Sequence, residues 1–296
     1  MTTILYIAGY GRSGSTILDK FLGAHPEIVS GGEMFRAPEI FTDDAALCTC
    51  GATFRDCAVW RGYRADVMRV AAEFGGMSEL RRALAGVEGR AGLGHAAPNH
   101  WQTWQALAGR GVAAIAAAKP AAKFVVDSSK TARGAAARPL CLSRAGHDLR
   151  VILLSRRISG VLASVRKGRN RDIEAGRPGG RLRALPGAAL GWILAEAANQ
   201  RIRRDLPEAA SFALSYEALI ADPEAEITAL AQWLGLDPAP ILAAMTTGAE
   251  PGHLIGGNRN RFAAATLARG APVRADLFSS GMAWLARRVG SLGRSA

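Results

Sequence analysis

Gly9-Tyr10-Gly11-Arg12-Ser13-Gly14-Ser15-Thr16 stands between an apolar run, Ile4–Ala8, and a stretch from Thr16 to Leu22 with apolar residues at 17, 18, 21 and 22. The first pattern predicts a buried strand and the second a helix, so the octet is the turn of a strand–loop–helix unit. At such a turn, successive backbone N–H groups and the positive end of the helix converge and make an anion site. Glycine lets the backbone approach a ligand closely. Ser13, Ser15 and Thr16 add hydroxyl donors, and Arg12 adds a fixed charge with a fork of donors suited to phosphate or sulfate.

Two spacings overlap in the octet. Gly9, Gly11 and Gly14 fit G-x-G-x-x-G, and Glu33 stands where a dinucleotide fold places its ribose-binding acid. An NAD(P)-dependent Rossmann-type oxidoreductase using those four residues is therefore the alternative reading. Gly9 to Gly14 followed by Ser15-Thr16 also has P-loop spacing, but Ser15 stands where the lysine belongs and the cation has moved to Arg12. Hydrolysis of a triphosphate needs that lysine and a magnesium ion held by a second acid. A monophosphate or phosphosulfate group needs neither, so the octet argues against an ATPase or GTPase.

Outward from the octet, Phe124–Asp127, Val151–Ser155 and Phe212–Ser215 are further short apolar runs that read as buried strands. Ile158, Val161, Leu162 and Val165 follow at helical spacing, and residues 222–236 open with Asp-Pro-Glu and continue as a helix. This order predicts an α/β fold, a P-loop-like, mainly parallel sheet flanked by helices, in a single domain over residues 1–296. Residues 64–118 read as a helical insertion, and the Arg-, Gly- and Pro-rich stretch 168–187 as a mobile loop. Ligands of an open α/β sheet bind at the carboxyl edge of the strands. Arg156 ends one strand there, and Ser164 lies two turns into the next helix, a pair able to grip a second phosphate.

The chain of 296 residues carries a formal charge of +12, yet only five of its 37 basic residues are lysine (Lys20, Lys119, Lys123, Lys130, Lys167). With 6% aromatic residues and scattered arginines it lacks the interleaved basic and aromatic surface of a nucleic-acid binder, so no nucleic-acid partner is expected. The opening Met-Thr-Thr-Ile-Leu-Tyr-Ile-Ala has no basic leader, and no apolar run reaches the roughly 18 residues of a membrane span. Four cysteines are too few for a disulfide framework, and a cytoplasmic protein is expected. Cys48, Cys50 and Cys57 lack paired C-x-x-C spacing and have no histidine near them in sequence. They read as a local, redox-sensitive loop, with no metal. Trp101, Trp104, Leu107 and Val112 read as core, and Leu277–Val289 as a docked terminal helix in preference to a membrane-surface segment.

Together these motifs resemble the PAPS-dependent sulfotransferase family, PAPS being 3′-phosphoadenosine-5′-phosphosulfate. Tyr10-Gly-Arg-Ser-Gly-Ser-Thr16 is similar to that family's 5′-phosphosulfate loop, and Arg156 through Ser164 to its 3′-phosphate motif. Leu22-Gly-Ala-His-Pro-Glu-Ile-Val-Ser-Gly-Gly-Glu33 resembles a segment of the bacterial and tyrosylprotein branches. Val126-Asp-Ser-Ser-Lys130, Ser215-Tyr-Glu-Ala-Leu219 and His253-Leu-Ile-Gly-Gly-Asn258 continue the likeness in the family's order. Gly11 replaces a commoner proline, and Arg157-Ile158 a commoner Asp-Pro.

The resemblance implies sulfuryl transfer from PAPS to a hydroxyl or amine acceptor, leaving the desulfated nucleotide PAP, with no metal required. It implies that Gly11, Arg12, Ser13, Gly14, Ser15 and Thr16 hold the 5′-phosphosulfate, that Arg156 and Ser164 bind the 3′-phosphate, and that Arg261 lies in a loop closing over the nucleotide. Arg12 would stabilise the leaving phosphate, Lys130 would reach the transferring group or the acceptor, and Glu33 would be the general base, its pKa raised by partial burial. His95 and His100 are rival bases. The acceptor, whether small molecule, lipid, saccharide or peptide, would be chosen by the variable stretches 34–118 and 168–187.

Overall fold

Thr3–Ala8 (β1), Ile28–Ser30 (β2), Phe124–Asp127 (β3), Leu149–Ser155 (β4) and Ser211–Ser215 (β5) form a sheet in the order β2-β3-β1-β4-β5, every neighbouring pair parallel. The computed structural model describes residues 2–89, 96–132, 134–166, 184–250, 252–257 and 259–263. Four of the strands are the apolar runs expected from sequence. The fifth, β2, is only three residues long, too short to stand out beside Gly31-Gly32. Because the strands are parallel, their carboxyl ends and the turns that follow meet along one edge.

Helices α1 (Ser15–Gly23), α2 (Ala37–Ile40), α3 (Arg61–Glu73), α4 (Met77–Glu88), α5 (Pro98–Ala116), α6 (Arg138–Arg144), α7 (Ile158–Arg166), α8 (Leu185–Asp205), α9 (Tyr216–Ala221), α10 (Pro223–Leu234) and α11 (Ala239–Thr247) flank the sheet. Side chains alternate along β1. Ile4, Tyr6 and Ala8 join Val67, Leu80, Trp104 and Ile115 of α3 to α5 in one core, whereas Leu5 and Ile7 join Leu18, Phe21, Ile227 and Leu230 of α1 and α10 in another. Coverage on both faces explains why the strands are nearly continuous apolar runs.

Helices α3, α4 and α5 occupy the stretch read as a helical insertion, and an ionic cluster ties them to the sheet. Arg138 of α6 donates from Nε to Asp127 Oδ2 at 2.8 Å and from Nη1 to Glu88 of α4, while Trp104 Nε1 of α5 donates to the same Glu88 Oε1 at 2.5 Å. The Arg138, Asp127 and Glu88 side chains are all buried. Of the expected mobile loop 168–187, residues 168–183 lie outside the described residues, and 185–187 instead open α8. Leu277–Val289 also lies outside them.

Candidate active site

β1 delivers the chain into the octet at the carboxyl edge. Gly9 adopts φ +121°, and a Cβ there would fall 2.1 Å from the Leu154 carbonyl oxygen of β4. Gly14 precedes α1 at φ +92°, where a Cβ would fall 2.7 Å from the Tyr216 ring. No side chain caps α1, so its opening N–H groups have no side-chain acceptor. Ser13 is buried and its Oγ has no hydrogen-bond partner, an orphan that a bound anion would satisfy. Ser15 and Thr16 are buried in the first helical turn, and Gly11 opens onto space, with nothing within 4 Å of a Cβ position. Arg12 is held at φ +73°, and Lys130 at φ +68° is the only other non-glycine residue with positive φ among those described. That backbone region is costly for side-chain-bearing residues.

Arg156 leaves β4 and donates from Nη1 to the Arg12 carbonyl oxygen at 2.6 Å. Its guanidinium lies 4.1 Å from the centre of the Tyr216 ring and against Gly160 of α7, where a Cβ would come within 2.9 Å of Nε. That Nε is buried and unpartnered. Ser164 lies one turn beyond Gly160 on the same face of α7, half-buried. Tyr216 thus packs on Gly14 and on Arg156, forming a common wall between the two anion positions read from sequence. Trp192 Nε1 of α8 steadies this junction by donating to the Arg156 carbonyl oxygen at 3.0 Å.

Glu33 follows β2 through two glycines and is buried. Lys130 donates to its Oε1, and its Oε2 lies 3.4 Å from Arg36 Nη1. Burial pushes the carboxyl upward, but the charges and hydrogen bonds of Lys130 and Arg36 outweigh it, and the net shift is downward. The expected raised pKa is therefore corrected: the sequence shows a carboxyl entering the fold, not the two cations that meet it. Ile255 runs parallel beside Gly32, donating to the Gly31 carbonyl oxygen at 2.9 Å and accepting from Glu33 N at 2.6 Å. Beyond it, a Cβ at Gly257 would come within 3.3 Å of Thr16, and Arg261 lies in the short turn Arg259–Phe262 packed on α1.

The sulfotransferase family profile matches residues 5–240, spanning both anion positions and Glu33. The chain belongs to the sulfotransferase family. In fold it is similar to the sulfotransferase domain from the curacin biosynthetic pathway, with a TM-score of 0.54 over 99% of this chain and 97% of that one at 16% identity. It is equally similar to the sulfotransferase domain from the Synechococcus PCC 7002 olefin synthase, with a TM-score of 0.54 over 100% and 95% at 14% identity. No curated protein matches the chain. The family match gives the oxidoreductase alternative no support, and β3, not β2, neighbours β1, which departs from the 3-2-1-4-5 order of a dinucleotide fold.

In this sulfotransferase the rival histidines fare differently. His100 sits on α5 with its ring 5.9 Å from that of Phe74, roughly 16 Å along the helix from Gly111, which touches Met34 beside Glu33. His95 and Asn258 lie outside the described residues. Sequence reasoning misses Tyr216 and Trp192 as supports of the arginine, although Ser215-Tyr-Glu-Ala-Leu219 carried a family likeness. It also misses Glu196 of α8, whose carboxyl burial pushes up to about 7 and whose Oε1 is unpartnered. Glu196 shares a helix face with Trp192 and with Asn199, which accepts from Thr131 Oγ1 at 2.8 Å, itself the acceptor for Gly9 N at 3.0 Å. Among the described residues no helix is long and apolar enough to cross a membrane.

Proposed function

We propose that this sulfotransferase moves a sulfuryl group from PAPS to a hydroxyl or amine acceptor, with residues 1–296 acting as one catalytic unit. One observation carries the reading: Arg12 and Lys130, the two left-handed non-glycine residues described, flank one sheet edge where Lys130 grips buried Glu33. Backbone strain of this kind clusters where function requires it. The orphan Ser13 Oγ and Arg156 Nε are donors fitted to an anionic nucleotide. Arg12 and the Gly11–Thr16 loop hold the 5′-phosphosulfate, Arg156 and Ser164 take the 3′-phosphate, and Arg261 covers the nucleotide. The acceptor atom passes its proton to Glu33 as it bonds to sulfur. The bond from sulfur to the bridging phosphate oxygen breaks, and its electron pair stays on PAP, where Arg12 stabilises it. Lys130 keeps Glu33 ionised, and an ammonium drawn toward the sulfuryl oxygens would leave that carboxylate a stronger base. The transfer step itself requires no metal.

Calorimetric titration with PAP and mass-detected transfer from PAPS across an acceptor panel test the reading in wild type, Arg12→Ala, Glu33→Gln and Arg156→Ala. Wild type is expected to bind PAP and transfer sulfate, with transfer lost in Arg12→Ala and Glu33→Gln. A folded wild type with no affinity for PAP sinks the proposal. Normal transfer by Glu33→Gln removes the base assignment and directs attention to Glu196.

A further inference from the structure

Three thiols of one loop and an imidazole about 200 residues downstream converge beside the site. The reacting atoms of Cys48, Cys50, Cys57 and His253 all lie within 4.8 Å of one another. Cys57 Sγ is 3.4 Å and Cys48 Sγ 3.7 Å from His253 Nδ1, and Cys50 Sγ is 3.8 Å from Cys57 Sγ. A tetrahedral zinc ion with bonds of about 2.3 Å to sulfur and about 2.0 Å to nitrogen requires edges of roughly 3.8 Å between sulfurs and roughly 3.6 Å from sulfur to nitrogen. Three of the six separations match these edges, and the other three lie within 4.8 Å. The first three are also far beyond the roughly 2.05 Å of a disulfide bond.

The scaffold holds the four groups in place without help from their own weak hydrogen bonds. Cys48 N donates to Ala52 O at 2.9 Å, Gly51 N to Cys48 O at 3.0 Å and Cys57 N to Thr53 O at 2.8 Å, folding residues 48–57 into a tight knuckle. Trp60 Nε1 donates to the His253 carbonyl oxygen at 2.8 Å, and Thr49 Oγ1 donates to Gly252 O at 2.9 Å while accepting from Leu254 N at 2.8 Å. The histidine segment is thus clamped against the cysteine loop on both sides of His253. Cys48 and Cys57 are buried and Cys50 is exposed, which leaves an ion a way in. The histidine that the sequence lacks near the cysteines comes from 196 residues beyond Cys57.

We propose that Cys48, Cys50, Cys57 and His253 bind one zinc ion in a closed structural site. Three thiolates and an imidazole in tetrahedral array suit zinc, and four protein ligands leave no open position for catalysis. The ion would pin the strand segment whose next-but-one residue, Ile255, pairs with Gly31 and Glu33. The inference does not depend on the donor nucleotide or on the base assignment.

Full-length protein, purified under reducing conditions without chelator, is assayed for metal by plasma mass spectrometry and for zinc released as a mercurial titrates the thiols. One zinc per chain is expected, freed in step with the thiols, and cobalt exchanged into the site should give the intense visible bands of a tetrahedral thiolate complex. Cys50→Ser, a change at an exposed position, should keep the fold and weaken zinc binding at least about tenfold, and His253→Ala should do the same or more. A folded wild type that holds no metal and takes up neither zinc nor cobalt overturns the proposal. So does a cobalt spectrum that Cys50→Ser leaves unaltered, or a Cys50–Cys57 disulfide in place of metal in the protein as purified.

Discussion

Arg138 opens α6 with its side chain buried, Arg156 follows β4 with its side chain half-buried, and their surroundings differ. Arg138 meets Asp127 and Glu88, and its guanidinium lies 6.0 Å from the Trp104 ring. Asp127 in turn accepts from Ser129 N at 3.0 Å, so the guanidinium and the Asp127 carboxylate both have hydrogen-bond partners. Arg156 meets a carbonyl oxygen and an aromatic face, keeps one buried N–H unpartnered, and pairs with no carboxylate among the described residues. A matched buried charge holds elements together, and one left short of an anion is prepared to receive one.

The largest effect that could break this contrast is on stability. Arg138→Leu strands two buried carboxylates and should cost about 3–5 kcal/mol, lowering the thermal midpoint by roughly 10 °C. Arg156→Leu should shift the midpoint by no more than about 2 °C, and an equal loss in the two variants would show that both arginines are merely structural. Binding should reverse the order. Arg156→Ala should weaken PAP about 10- to 100-fold in calorimetry, as expected for a lost charged hydrogen bond, and unchanged affinity would remove its anion role.

Asp19 of α1 sharpens the contrast as an intermediate case. Ser128 Oγ donates to its Oδ2 at 2.6 Å, its Oδ1 has no partner, and burial pushes the carboxyl from 3.8 up to about 7. The folded protein therefore holds this proton more tightly than the unfolded chain, and stability falls as pH rises through that interval. Asp19→Asn should abolish the slope and stabilise the protein above pH 7, read from denaturation midpoints at acid and alkaline pH. A variant that keeps the slope would assign it elsewhere. The smallest expected effect concerns Glu33. Its carboxyl sits low because Lys130 and Arg36 overcome its burial, so Lys130→Met should move the acid limb of kcat/KM to higher pH. A limb that stays in place would separate Glu33 from the rate.

Local signals were readable and long-range ones were not. Phe124–Asp127 is a strand with the same ends in sequence and structure, and the octet lies where its flanking patterns put it, because period and glycine spacing are properties of neighbours. The pairing of Lys130 with Glu33 spans 97 residues, and nothing near either residue announces it. The same holds for Tyr216 beneath Arg156, and for the ion-pair cluster joining α4, α6 and β3. The lowered pKa of Glu33 is hidden for the same reason, since local apolarity suggests burial but not a counter-charge.

Ile255 completes the seat of Glu33 from about 220 residues downstream, and His253 reaches Cys48 across 205. On a ribosome, the nucleotide loop and the Arg156 turn can form once Tyr216 has emerged, since their contacts other than that of Gly257 with Thr16 lie within about the first three-quarters of the chain. The backbone that fixes the carboxylate arrives only near the end, and closing so long a loop brings no stabilisation until it is complete. Nascent and truncated chains would then display an anion pocket before they possess a positioned base. Synthesis itself would order the enzyme's abilities, grip first and chemistry last.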